Sequence, residues 1–297
     1  MVFLRTIVLI LIPSLHFPLW GQVADAAPPP RILRVGVAVT KDFKSVSDWK
    51  PKFERRLAYA SKIFETEFGL RFVVSRYWDW SIPDGQQSTD HLLVDLMRRF
   101  PLKNVDLVIG LSRLTQEVFT PNKNDFDVLG RTQPFSGYLV LRYPETDLYK
   151  IQEETILVHE LGHLFGAIHT GDPNTIMFPY VGKQIPSTFT KANRDIILLT
   201  RDMDFAKGIN ALDSETIERL LSSYLVFIQY DQPFEFYYAL GHFYLRLGQD
   251  EEALRTFQAA EKLNQKLAKL YYDIGVVSWR LGKYEDARQA LTKAISR

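Results

Sequence analysis

Three histidines and a glutamate fall within eleven residues of this chain, His159-Glu160-Leu-Gly-His163-Leu-Phe-Gly166-Ala-Ile-His169. On a helix of about 3.6 residues per turn, four positions amount to about 40° of rotation, so His159 and His163 project from one face. Glu160 sits roughly 100° from His159 and roughly 60° from His163, leaning into the same cleft without being the natural third ligand. Gly166 stands where such a helix would have to end, because glycine readily takes the left-handed conformation that closes a helix and reverses the chain. That reversal can bring His169 back as a third nitrogen ligand. A zinc ion with three protein ligands keeps an open position for water, whose pKa falls toward ~7. Glu160 is then placed to take the water's proton as general base, and the polarised carbonyl is attacked without a covalent intermediate. The chain has no cysteine, which excludes a thiol nucleophile, and it has no Gly-x-Ser-x-Gly elbow.

The elements that must position these groups can be read from periodicity. Arg31–Thr40 is rich in β-branched residues and predicts a strand, and a helix follows over 48–68 with Phe53, Leu57, Ala60 and Phe64 at helical spacing. A strand is expected over 71–78, a helix over 90–100 capped by Ser88 or Asp90, and strands over 105–110 and 137–142. Strands alternating with helices imply a mainly parallel, twisted sheet. In the motif helix Leu157, Leu161, Leu164 and Ile168 form one stripe, which packs on the sheet while the histidines face away. A further helix is expected over 190–204, a boundary over 208–212, and a helix over 213–230 capped by Asp213 or Ser214. The aromatic run Tyr77-Trp78-Asp79-Trp80 reads more simply as core or rim than as a substrate platform.

With 46% hydrophobic residues and a net charge of +1, the composition is that of an ordinary globular protein, with no signal for nucleic acid or an anionic membrane as partner. Arg5, the apolar run to Ile12 and the small-x-small pattern Ala24-Asp25-Ala26 have the layout of a secretory signal peptide over 1–26. The expected location is the bacterial periplasm or the exterior, with no stable membrane span after cleavage. An uncleaved N-terminal anchor is the alternative. An exported chain without cysteine has no disulfides and depends on its core and any bound metal.

The C-terminal part repeats itself. Tyr237, Leu240, Gly241, Tyr244, Gly248, Ala253, Phe257 and Ala260 correspond to Tyr271, Ile274, Gly275, Ser278, Gly282, Ala287, Leu291 and Ala294, always at an offset of 34. Period and helix-turn-helix layout resemble the tetratricopeptide repeat, with departures at Ser278 and Gln265. Two repeats, about 234–267 and 268–297, are few for independent stability, so the helix before them is expected to cap one end. The chain thus divides into a leader over 1–26, a domain over 27–208 that carries the histidine motif, and a helical domain over 213–297.

The run His159-Glu160-x-x-His163-x-x-Gly166-x-x-His169 followed by Met177 resembles the signature of the metzincin metallopeptidases, and Met177-Phe178-Pro179 looks most like the matrixin branch. The resemblance implies a fold of class α+β / α/β: a twisted, mainly parallel sheet with an antiparallel edge strand and an active-site helix, here followed by an all-α repeat tail. It implies one catalytic Zn2+ on His159, His163 and His169, with Glu160 as base and Met177 in a tight turn as an apolar floor. It further implies that the strand at 137–142, with Tyr138 and Val140, is the sheet edge where an extended peptide docks by strand addition. Phe178, Tyr180 and Val181 would wall the pocket for the side chain after the cleaved bond. The family's latency cysteine is absent. A second, structural zinc is not expected either, since only His91 and His242 remain outside the motif and leader. The function expected is a zinc-dependent endopeptidase acting on peptide or protein substrates, with a protein partner recruited by the repeats. The rivals are a repeat-based scaffold with a structural or vestigial zinc site, and a zinc amidase acting on cell-wall peptide.

Overall fold

In the computed structural model, which describes residues 29–82, 88–114, 129–144, 153–179, 186–230, 232–265 and 267–296, the run Arg31–Thr40 forms strand β1. A short turn, α1 (Lys41–Lys44), leads to the long helix α2 (Trp49–Phe68), which stops at Gly69, where a φ of 66° lets the chain reverse. β2 (Leu70–Trp80) returns parallel to β1. α3 (Thr89–Arg99) is capped by Ser88, whose side chain accepts from the His91 N–H. β3 (Leu107–Leu114) then pairs parallel along the other side of β1. β4 (Gly130–Gln133) and β5 (Tyr138–Pro144) form a hairpin, β5 pairing parallel with β3 and β4 antiparallel with β5. Among the described residues the sheet has five strands in the order β2-β1-β3-β5-β4. The fold class is as expected, with a mainly parallel sheet and an antiparallel edge.

The expected edge is misplaced, however. The strand anticipated at 137–142 is β5, an inner strand, and the edge is β4, which pairs outside it through Arg131 opposite Val140 and Gln133 opposite Tyr138. β4 carries three polar residues in four and so presents no apolar run to the eye.

The inner strands divide their side chains between two cores, which explains their near-continuous apolar sequences. Val35, Val37, Ile109, Leu111, Leu139 and Leu141 face the core shared with α2 and the motif helix α4 (Glu153–Leu164). Ala38, Val108, Tyr138 and Val140 face the opposite core, with Leu92, Leu93 and Leu96 of α3. Trp80 belongs to this second core, where its Nε1 donates to Asp95 Oδ2 at 2.9 Å, and Trp78 lies across Gly36. The aromatic run is thus packing. In α4 the stripe Leu157, Leu161 and Leu164 is buried as expected, but the helix ends at Leu164, so Ile168 reaches the same core from beyond the turn.

The chain continues through α5 (Lys191–Thr200), a single 3-10 turn (Gly208–Ala211) and α6 (Ser214–Phe227), capped by Asp213 through the Thr216 N–H at 2.7 Å. Two helical pairs follow: α7 (Phe234–Arg246) with α8 (Asp250–Leu263), then α9 (Ala268–Arg280) with α10 (Tyr284–Ile295). The 34-residue period is physical. A Cβ on Gly241 would meet the Phe257 ring at 2.4 Å, and one on Gly275 would meet Leu291 at 2.6 Å, so each pair packs through the same missing side chain. The boundary expected over 208–212 separates two sequence patterns without interrupting the core. Ile217, Leu220 and Tyr224 of α6 and Phe236, Leu240 and Phe243 of α7 join the sheet's main core, while Phe234 and Tyr238 face the repeats. Tyr224 stacks on Phe236 at 4.9 Å and donates its hydroxyl to the Gly166 carbonyl at 2.8 Å. The expected leader lies outside the described residues, and among those described no helix is long and apolar enough to cross a membrane.

Because Tyr224 is fully buried at this joint, Tyr224→Ala is expected to destabilise the fold by about 3–5 kcal/mol. Chemical denaturation followed by both helical and aromatic signals checks this. The two curves should move together, whereas a shift confined to part of the unfolding would show that the joint does not couple the two regions.

Candidate metal centre

The end of α4 builds the site. His159 and His163 lie one turn apart, and at Gly166 the backbone enters the left-handed region with φ 86°, turning the chain so that His169 comes back over the helix end. Gly166 is needed for a second reason: Phe135 lies where its side chain would be, at 2.4 Å. The three Nε2 atoms converge, His163 lying 3.0 Å from His159 and 3.1 Å from His169. Such separations are compatible with each nitrogen standing about 2 Å from one shared ion.

The protonation state is fixed from behind. His159 Nδ1 lies 2.7 Å from the Ile176 carbonyl and His163 Nδ1 2.7 Å from the Ala167 carbonyl. A carbonyl only accepts, so each Nδ1 carries the proton and each Nε2 presents a lone pair to the common point. Burial pushes the His159 imidazole down to about 4, and burial together with the neighbouring imidazoles holds His163 well below the ordinary range. Both are therefore neutral near pH 7, the form that ligates a metal. The donor set fits zinc.

Met177 is fully buried beneath the helix, and a Cβ on Gly162 would come within 2.8 Å of its sulfur. The loop from His169 to Met177 closes on itself, with the Thr170 N–H donating to the Met177 carbonyl at 3.0 Å. Phe178 follows half-buried, while Tyr180 and Val181 lie outside the described residues. Tyr138 and Val140 are not at the site. They point into the core beside α3, on the far face of the sheet from α4, because successive residues of β5 alternate sides.

Glu160 is buried against the edge strand. Thr132 Oγ1 donates to its Oε2 at 2.5 Å, and a Cβ on Gly130 would overlap its Cγ at 2.6 Å. Beside Glu160 and His163 is a cavity of about 20 Å³, lined also by Thr132, Arg131, Gln232 and Glu235. That is room for about one water molecule. Arg131 crosses this region, its Nε donating to Asp90 Oδ1 at 2.8 Å and its Nη1 to Glu235 Oε2 at 3.2 Å.

Sequence reasoning missed four residues here. Gly130 and Thr132 lie on the unrecognised β4, although Pro134 and Gly137 ahead of an apolar strand are a hairpin signal. Asn193 and Gln232 carry no sequence signal at all. Asn193 Oδ1 accepts from the Ile168 N–H at 2.8 Å while its Nδ2 donates to the Ile168 carbonyl at 2.9 Å. Gln232 does the same to the next residue, accepting from the His169 N–H at 3.2 Å and donating to its carbonyl at 3.0 Å.

Residues 80–200 match the family model described as matrixin, and residues 241–282 and 268–297 match models of the tetratricopeptide repeat. The chain carries a metzincin-like domain followed by tetratricopeptide repeats. Among solved structures the similarities are partial. The archaemetzincin of Methanopyrus kandleri is 16% identical, covering 58% of this chain and 97% of its own, with a TM-score of 0.41. A chaperone–substrate complex is 11% identical over 57% of this chain and 34% of its own, with a TM-score of 0.43. The second TPR domain of Spaghetti, bound to an HSP90 peptide, is 23% identical over 27% of this chain and 75% of its own, with a TM-score of 0.26. No curated protein matches the chain. The matrixin match contains the three histidines, Glu160 and Asn193, but Gln232 lies beyond it, ahead of the first repeat match.

Partners behind a ligand commonly change metal affinity by about 10–100-fold when removed. Gln232→Ala is therefore expected to weaken zinc binding within that range, read by competition against a chromogenic chelator, with Asn193→Ala acting in the same direction. A Gln232→Ala chain that held zinc as tightly as the parent would show that the His169 backbone needs no outside support.

Proposed function

We propose that the chain is an exported zinc-dependent endopeptidase whose repeats bind a protein partner. The observation carrying this reading is the convergence of three imidazole nitrogens beside a buried, oriented carboxylate. A zinc ion held by His159, His163 and His169 would acidify a bound water and polarise the carbonyl under attack. Glu160 accepts the attacking water's proton and returns it to the leaving amine, and the cavity beside it is where that water enters. Thr132 holds one oxygen of the carboxylate, so the base keeps its aim through both transfers. The edge strand β4, with β5 on its inner side, offers the backbone along which an extended substrate is added. The matrixin match supports the peptidase reading and the repeat matches support partner binding. Export rests on the layout of residues 1–26.

Loss of a general base costs about 10²–10⁴ in rate. Glu160→Ala is expected to lose hydrolysis of a mixed peptide library by that factor while zinc content, measured by metal analysis, stays at the parent level. Zinc retention without turnover in the parent would favour the scaffold reading. Cleavage of cell-wall peptide alone would favour the amidase reading, and full activity in Glu160→Ala would remove the mechanism.

A further inference from the structure

Between the metzincin-like domain and the repeats runs a groove of about 930 Å³ that takes no part in the chemistry above. It begins at Gln133 and Pro134, where the edge strand β4 ends, so a chain leaving β4 at that end enters it directly. One wall is apolar, from Met97, 37% exposed on α3, and Leu102. Phe205 and Ile209 form the floor, and Tyr238 and Ala239 of α7 the repeat side.

The charge of the groove has one sign. Arg98, Lys103, Lys207 and Lys269 line it, and among the described residues no carboxylate does. Acidic groups close in sequence to these cations are engaged, Asp106 by Arg34 at 3.0 Å among them. Asp95 is bound by Arg98 and Arg99, Asp204 lies 3.7 Å from Lys207, and Asp273 accepts from Tyr238 at 2.6 Å with His242 at 3.3 Å. Lys103 and Lys269 have no carboxylate within ion-pair reach among the described residues, and Lys269 stands 5.9 Å over the Tyr238 ring. Apolar walls with unneutralised ammonium groups at both rims complement an extended chain that alternates apolar and acidic side chains.

We infer that this groove is a substrate exosite for an acidic, apolar peptide segment lying outside the stretch being cleaved, an inference that rests on the peptidase reading and on β4 as the docking strand. The segment's apolar side chains fill the space beside Met97 and Phe205, and its carboxylates reach Lys103 on one domain and Lys269 on the other. Specificity then lies partly in residues distant from the cut, and the repeats act on the substrate itself.

The test titrates the full chain, by fluorescence anisotropy, with a labelled peptide of repeated Leu-Glu-Phe-Glu units and with its Leu-Lys-Phe-Lys counterpart. The acidic peptide is expected to bind at least about tenfold tighter, and the preference to shrink as salt shortens the Debye length from about 10 Å toward 3 Å. Lys103 and Lys269 are exposed, so the double variant Lys103→Glu/Lys269→Glu should keep its unfolding midpoint while losing the preference. Equal binding of the two peptides, or a preference that survives charge reversal, overturns the exosite. A second arm appends the same units to either end of an octapeptide that the enzyme cleaves. The acidic extension should lower KM about tenfold at one end with kcat unchanged, and no fall at either end would separate the groove from the cleavage path and refute the inference. If no octapeptide is hydrolysed, the peptidase reading fails on its own, and the anisotropy still decides what the groove binds.

Discussion

A histidine that stands beyond the end of its helix is positioned only by what grips its backbone. His159 and His163 inherit their geometry from α4, whose hydrogen bonds fix the angle between them. His169 has no such frame. Its N–H and carbonyl are both taken by the amide of Gln232, and those of Ile168 by the amide of Asn193, so two side chains stand in for a neighbouring strand. Both amides are buried, and each unmade bond there would leave a polar group dry at a cost of about 1–3 kcal/mol. The metal-binding geometry thus depends on two residues far along the chain, one on α5 and one just before α7.

Missing side chains are the second constraint. Glu160 reaches its position because Gly130 has no Cβ, and α4 settles onto Met177 because Gly162 has none. Helix, edge strand and methionine loop approach more closely than ordinary residues allow. That closeness aligns the carboxylate through Thr132 and ties His159 to the Ile176 carbonyl. Close packing and the geometry of the site are here one requirement.

What could be read from the sequence follows what leaves a periodic or local trace. β1, α2 and the paired helices announce themselves because burial imposes a spacing, and Gly166 because a helix must end before His169 can return. β4 leaves no trace because four residues with three polar side chains carry no apolar rhythm, and the docking edge is therefore read into the more apolar strand beside it. Apolar character in β5 signals an inner strand buried on both faces, the opposite of an edge. Asn193 and Gln232 were illegible for another reason: a single amide bonding one distant residue repeats nothing. The joint at Tyr224 and Phe236 was hidden because α7 reads as the start of a repeat while one of its faces belongs to the sheet's core.

The two family matches end at residue 200 and resume at residue 241. Tyr224, Gln232, Glu235 and Phe236 all fall in the stretch between them, which neither pattern describes. That stretch supports the Gly166 turn, holds His169 and anchors Arg131 on the edge strand. The repeats are therefore not a cassette. A chimera joined at either family seam would transplant helices and leave the third histidine's support behind, so any exchange of repeats in such a protein must carry the α6–α7 junction with the metzincin-like half.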